Sequence, residues 1–264
     1  MFYISESMIR LLFFWGGLFF FLLLEVLISY RVSSVSKVKR WINNISLTLF
    51  NSILINLIFS AAIVSTATYV EKNQLGILNL VQAPLWIEIL FTVAFMDFML
   101  YIWHLLNHVV PFLWRFHRVH HTDLNMDVST ATRFHIGELA ISAVIKISLI
   151  FFLGANLPGV LIFECGVVFC AQFHHSSLKV PKWFESIFWI LFVPPSMHRI
   201  HHSVIIRERD SNYGTIFSLW DRISGTLITR VDQAKIRIGV GAYPNPDRLN
   251  LQHLLIMPFT RPVR

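Results

Sequence analysis

The stretch LLFFWGGLFFFLLLEVLISY, residues 11–30, is long and apolar enough to cross a hydrocarbon core about 30 Å thick, and it is the first of several such runs. Residues 47–70 form a second run without one charged residue, and residues 85–110 a third, broken only by Glu88 and Asp97. Residues 136–153 and 158–173 form a candidate hairpin turned by GANLPG. Lipid offers no partners to backbone polar groups, so runs of this length read as helices that satisfy their own hydrogen bonds. The composition agrees, because 14% of residues are charged and 55% hydrophobic, against about 25% charged in soluble domains.

The first run is read as a transmembrane helix rather than a signal peptide. A single Arg10 precedes it, no small-residue cleavage site ends it, and a basic stretch follows. Glu25 lies near one end and is expected to reach the interface. Lys146 interrupts the fourth run, which together with the short arms suggests a re-entrant hairpin. Cys165 and Cys170 sit in an apolar run as buried small hydrophobes, with neither a disulfide framework nor a paired CxxC. Trp103, Trp114, Trp183, Trp189 and Trp220 are expected at the membrane–water boundary, and the segment VPKWFESIFWILFVPP, residues 180–195, along the interface over the substrate entrance.

A net charge of +7 would suggest nucleic acid on a soluble domain, but here the basic residues fall in short blocks beside apolar runs, so a membrane and no nucleic acid is expected. Arg31, Lys37, Lys39 and Arg40 lie between the first two runs, which places that loop in the cytoplasm. Counting runs from there brings every clustered histidine to the cytoplasmic face. That result uses only lysine, arginine and hydropathy, so it is independent of histidine spacing.

The histidine spacing is the second strong signal. FHRVHH supplies His117, His120 and His121, and MHRIHH supplies His198, His201 and His202. On helices, the i, i+3, i+4 spacing puts each triplet on one face, and His104 and His108 share a face in the same way. With 12 histidines in 264 residues, one chance HxxHH is expected at roughly the few-per-cent level, and two at well under one per cent. Neutral imidazole binds zinc, copper, iron and nickel. Eight ligands would close two tetrahedral zinc sites of about four each. His135 and His175 bring the set to ten, which suits two five-ligand metals with an open position, and this favours iron while leaving zinc open. His174 and His253 are read as satisfied polar residues. A heme needs one histidine on each of two facing helices, and a transporter places its ionisable groups near the midplane, so neither matches triplets on loops.

These residues resemble the fatty acid hydroxylase or sterol desaturase superfamily of integral membrane oxidoreductases. Its HxxxH, HxxHH and later HxxHH match His104/His108, His117/His120/His121 and His198/His201/His202. RFHIGE is similar to its R-[FH]-H-P-x-E element with Ile136 in place of proline, and FHHSSL to its F-x-H-S-N element with Ser177 in place of asparagine. NYGTIFSLWDRISGT is similar to its N-Y-G and W-D-R-x-x-G-T tail, so the likeness covers roughly residues 97–226. The resemblance implies a non-heme diiron site on the cytoplasmic face that uses O2 to hydroxylate or desaturate the alkyl part of a lipid such as a fatty acid or sterol. Side-chain acids and bases cannot attack an unactivated C–H bond, and a redox metal can.

The expected architecture is all-α, four to five membrane-embedded helices carrying a cytoplasmic histidine-rich cap. Residues 1–84 hold N-terminal transmembrane helices, 85–230 the catalytic domain, and 231–264 a cytoplasmic tail. Asp97, two helical turns before His104, is expected to orient an imidazole, and Glu138, Asp210, Asn212 and Asp221 are further candidates to support the ligands. With no dinucleotide fingerprint and no room for a fused heme or flavin module, electrons are expected from a separate cytochrome b5-like or ferredoxin-like donor. A compact chain of this kind points to a bacterial inner membrane. The competing function class is a non-catalytic membrane protein with a structural zinc–histidine cage.

Overall fold

The computed structural model describes residues 5–261 and 263, without the side chains of residues 56–61. It is 67% helix and its described residues form no strand, in agreement with the all-helical expectation. In chain order the helices are α1 (Glu6–Leu27), α2 (Lys37–Lys72), α3 (Leu85–Val109), α4 (Pro111–His121), α5 (Ile136–Leu153), α6 (Leu157–His175), α7 (Lys182–Phe188), α8 (Pro195–His201), α9 (Ile206–Arg209), α10 (Leu219–Ser224) and α11 (Leu251–Ile256). Four of them, α1, α3, α5 and α6, are long and apolar enough to cross a membrane. The predicted run 47–70 falls inside α2, and its part at residues 56–61 lies outside the described side chains.

Charges inside these helices have partners. Lys146 of α5 bonds Glu164 of α6 at 2.8 Å, and Arg10 of α1 lies 3.1 Å from the other carboxylate oxygen. The pairing explains how α5 and α6, of 18 and 19 residues, both keep a length sufficient to span despite the lysine that suggested a re-entrant hairpin. Gly154 closes α5 in the left-handed region at φ 77°, where a side chain would be strained, and Asn156 caps α6 by accepting from Gly159 N at 2.8 Å. A π-turn at Leu12–Gly16 loosens α1, and the Phe14 carbonyl accepts from Gln172 Nε2 of α6 at 2.8 Å.

Glu25 does not reach the interface. It is buried at the end of α1, where one oxygen accepts from Val128 N and Ser177 N, both at 2.8 Å, and the other lies 3.5 Å from Lys37 Nζ. The helix end is thereby fastened to the loops before and after the α5–α6 hairpin.

At 36 residues α2 is about 54 Å long, well beyond a hydrocarbon core. Its excess turns carry a polar stripe on one face: Arg40, Asn44, Thr48 and Asn51. Arg40 donates to Asp123 Oδ2 at 2.7 Å and Asp127 Oδ2 at 2.8 Å, Asn44 to Ser129 Oγ at 2.9 Å, and Thr48 and Asn51 to the carbonyls of Thr132 and Phe134 at 3.2 and 2.7 Å. Burial opposes the charge on Asp123, but Arg40 beside it holds the carboxyl well below the usual range. Arg133 completes the clamp by donating to Val119 O at 2.9 Å and Thr122 Oγ1 at 3.0 Å. The stripe therefore fixes the loop that leaves α4 directly after His121.

The α3–α4 corner follows from Pro111. The residue before a proline is driven to extended geometry, so Val110 (φ −90°, ψ 114°) ends α3 and Pro111 opens α4. The two helices then face each other with His104 and His108 opposite His117 and His121. At the other end of the chain, Leu249, Leu254 and Met257 pack on Leu47 and Val119, closing the bundle below α4.

Candidate metal centre

Nine histidines meet at one end of the bundle in two groups. His104, His108, His117, His121 and His201 form one, and His120, His175, His198 and His202 the other; within each group a nitrogen of every ring lies within 4.8 Å of the rest. The helical spacing explains the sorting. Each HxxHH sends one member to the opposite group: His117 and His121 face the first while His120 turns to the second, and His198 and His202 face the second while His201 turns to the first. Two motifs on α4 and α8 thus contribute to two adjacent groups rather than one group each.

In five of the nine rings Nδ1 is tied, which directs Nε2 inward. His104 Nδ1 donates to Tyr213 O at 2.8 Å, His201 Nδ1 to Ser211 O at 2.7 Å, and His175 Nδ1 to Ala171 O at 2.7 Å. His117 Nδ1 pairs with Glu138 Oε1 at 2.8 Å and His108 Nδ1 with Asp210 Oδ1 at 3.3 Å. The Nε2 atoms of His104, His108 and His201 are then buried without a hydrogen-bond partner. In the second group His175 Nε2 lies 3.0, 2.9 and 3.2 Å from Nε2 of His120, His198 and His202. With its proton on Nδ1, His175 has one lone pair to offer, and three rings cannot all donate to it. Burial, reinforced by neighbouring histidines, lowers the pKa of His120, His121, His198, His201 and His202 well below 6.5, so these rings are neutral. Converging neutral lone pairs and orphaned nitrogens fit cations, and the carbonyl and carboxylate partners are those that orient metal-bound imidazole.

The C-terminal motif acts as a frame for these carbonyls. Asp221 accepts from Tyr213 N and Gly214 N, both at 2.8 Å, and from Thr226 Oγ1 at 2.6 Å. Asn212, at φ 56°, donates to Met197 O and Ile228 O at 3.1 and 2.9 Å. Both residues hold Ser211 and Tyr213 against the histidines without touching a ring themselves. Asp97 has the same indirect part and does not orient an imidazole as its spacing suggested: it accepts from Ile216 N and Phe217 N at 3.1 Å each, and from Trp220 Nε1 at 2.8 Å. The spacing put Asp97 on the right face, but α10 and its approach occupy that face two turns short of His104.

His135 stands apart from both groups. Its Nδ1 accepts from Gly137 N at 3.0 Å to cap α5, and its Nε2 donates to Leu255 O at 3.1 Å, so both ring nitrogens are engaged. His253 is exposed and bonded to Asn250 at 2.8 Å. His174, read from sequence as a satisfied polar residue, is buried with Nδ1 unpartnered and its ring 4.0 Å from that of His198. Trp103 and Trp114 are buried in the protein rather than placed at an interface; the Trp114 ring lies 5.1 Å from that of His108 and carries the Arg209 guanidinium 4.5 Å from its centroid, walling the first group. The Ser211 and Tyr213 carbonyls were missed because backbone acceptors carry no side-chain signature; the NYG element was their only trace.

Among curated proteins, the chain is similar to an ornithine lipid hydroxylase, OlsE, of Rhizobium tropici, with 29% identity over 163 residues covering 60% of this chain and 47% of that protein. It is also similar to an alkylglycerol monooxygenase of Caenorhabditis elegans (32% over 153 residues, 52% of this chain and 26% of that protein) and to human cholesterol 25-hydroxylase (27% over 152 residues, 54% and 52%). The chain spans about half the length, or less, of these relatives. No solved structure matches it. The profile of the fatty acid hydroxylase family matches residues 89–226, just over half of the chain, and these residues include both histidine groups and the segment that supports them. The chain belongs to the fatty acid hydroxylase family.

Proposed function

We propose that this protein is a membrane-embedded oxidoreductase that holds two iron ions and uses O2 to hydroxylate the alkyl part of a lipid. The observation that carries this reading is the pair of buried histidine groups, five and four imidazoles, whose nitrogens converge and cannot all satisfy one another by hydrogen bonds. His104, His108, His117, His121 and His201 would hold one ion and His120, His175, His198 and His202 the other; His135 caps a helix and is left out. Bound iron would supply the redox chemistry that activates O2 for attack on an unactivated C–H bond.

The chain's own residues do the rest. Glu138, Asp210 and the carbonyls of Ala171, Ser211 and Tyr213 fix the proton of each supporting ring on Nδ1 and keep its ligand nitrogen inward. The rings are buried, so bulk water is kept from the reacting centre. An outward groove of about 370 Å³ lined by Phe91, Phe95, Phe98, Trp220 and Ile223 supports access for a lipid from the bilayer, because Phe98 precedes His104 on α3 by six residues, about 9 Å along the helix. The relatives' names describe hydroxylation of lipids that differ in headgroup and skeleton, consistent with a site that recognises an alkyl segment.

Arg40 contacts Asp123, two residues beyond His121, so the basic stretch that opens α2 shares one end of the bundle with the histidines. By the positive-inside rule the site would face the cytoplasm, where a separate cytochrome b5-like or ferredoxin-like protein would deliver electrons, and the membrane would be a bacterial inner membrane.

The test is metal analysis and Mössbauer spectroscopy of iron-reconstituted protein beside a His120→Ala, His201→Ala double variant, which removes one ligand from each group. About two coupled irons per chain, lost in the variant, together with 18O from labelled dioxygen in an extracted lipid, is the expected result. Retained zinc with no iron uptake refutes it in favour of a structural cage.

A further inference from the structure

The two histidine groups are unequal, five rings against four, and one buried imidazole beside the smaller group has no assigned role. His174 is 2% exposed, its ring centroid lies 4.0 Å from that of His198 and 4.7 Å from that of His175, and its Nδ1 is buried without a partner. Its hydrogen bond is to the backbone of Thr215. That contact completes a pattern along one segment: Ser211 O holds His201, Tyr213 O holds His104, and Thr215 holds His174, every second residue supporting a histidine from a different helix. The first two rings so held are ligand candidates of the five-membered group. His174 is built the other way round, with Nδ1 bare where His104 and His201 leave Nε2 bare, and it stands beside the group that is one ring short.

From this the geometry points to His174 as the fifth nitrogen donor of the metal held by His120, His175, His198 and His202. The inference rests on the metal-centre reading above and goes beyond the family pattern, in which the residue before His175 is unspecified. The two rings are tilted at 40° and His174 Nδ1 has no hydrogen-bond partner, so it is not there to accept from His198. His174 stands outside the mutual 4.8 Å reach of the four, so it joins them by a turn of its ring about the Thr215 contact. With it, both metals have about five imidazoles and one position left for an exogenous ligand, a donor set that suits iron in six-coordinate geometry.

The experiment compares the iron-loaded full chain in detergent with His174→Ala and His174→Gln, reading iron release to a chelator and the imidazole count per iron by X-ray absorption. Loss of a partner one shell removed from a metal weakens binding about 10- to 100-fold, so loss of a ligand is expected to speed release of one iron by about 100-fold or more and leave the other unchanged. The mean imidazole count should fall from about five towards about 4.5, and added imidazole should restore retention in His174→Ala by refilling the position. His174→Gln controls for folding, because it keeps a polar side chain and should show the same selective release. Two irons held in both variants with wild-type release and spectra overturn the assignment while leaving the metal centre standing. A wild-type chain that takes up no iron overturns both.

Discussion

Replacing Asp97 separates a frame residue from a ligand-orienting one. Its carboxylate receives three buried donors, Ile216 N, Phe217 N and Trp220 Nε1, two of them on Oδ2. Asp97→Ala strands all three, at about 1–3 kcal/mol each, so the loss is about 3–9 kcal/mol. Asp97→Asn can keep its oxygen under the two Oδ2 donors but turns an NH2 against Ile216 N–H. That costs about 1–3 kcal/mol for the stranded donor and about 1 kcal/mol for each bond that ceases to be charge-assisted, for about 3–5 kcal/mol in all. Reversible unfolding in mixed micelles should therefore rank wild type above Asn and Asn at or above Ala. Metal retention should decline only in step with stability, since the segment anchored at 216–220 bears on the rings through Tyr213 and Thr215. An alanine variant that loses less than about 1 kcal/mol, or metal lost from either variant at undiminished stability, would refute the reasoning and return Asp97 to the role its spacing suggested.

Glu138→Gln should weaken one of the two metals by about 10- to 100-fold, read by chelator competition, because it removes the carboxylate that orients His117. Arg40→Ala should destabilise the protein by about 3–5 kcal/mol by leaving Asp123 and Asp127 buried and unpaired, and a chemical unfolding series should show the loss without any change in net metal chemistry. Metal-free protein should be acid-labile: the buried histidines His120, His121, His198, His201 and His202 have folded pKa values below the unfolded 6.5, so the unfolded chain binds more protons. Stability is then level above about pH 6.5 and falls below it by up to about 1.4 kcal/mol per pH unit for each histidine, and a thermal melt unchanged between pH 7 and 5 would contradict this.

Much of this protein is legible without coordinates because hydropathy and helical spacing are local properties. Runs of lipid-compatible length, a proline at residue 111 and capping residues such as Asn156 determine where helices begin and end. The i, i+3, i+4 spacing determines that His117, His120 and His121 leave α4 within one arc, and likewise on α8. What the spacing could not carry is the division of each triplet between two groups, since that depends on where α3, α6 and α8 pass relative to α4. The same holds for Asp97, Glu25 and His135. A one-dimensional count offered Asp97 an imidazole, Glu25 the interface and His135 a metal, and packing brought Trp220, Val128 and Leu255 to them instead. His174 is the reverse case: the motif passes over it, and only the approach of the Ser211–Thr215 segment to the hairpin end reveals a bare nitrogen. The sequence by itself determined the helices, the membrane and the donor chemistry, because these follow from residue type and contiguous spacing. The tertiary structure alone decided which nitrogens converge and which backbone carbonyls aim them, because those contacts join residues up to about a hundred positions apart and depend on the exclusion of every other partner from a buried site.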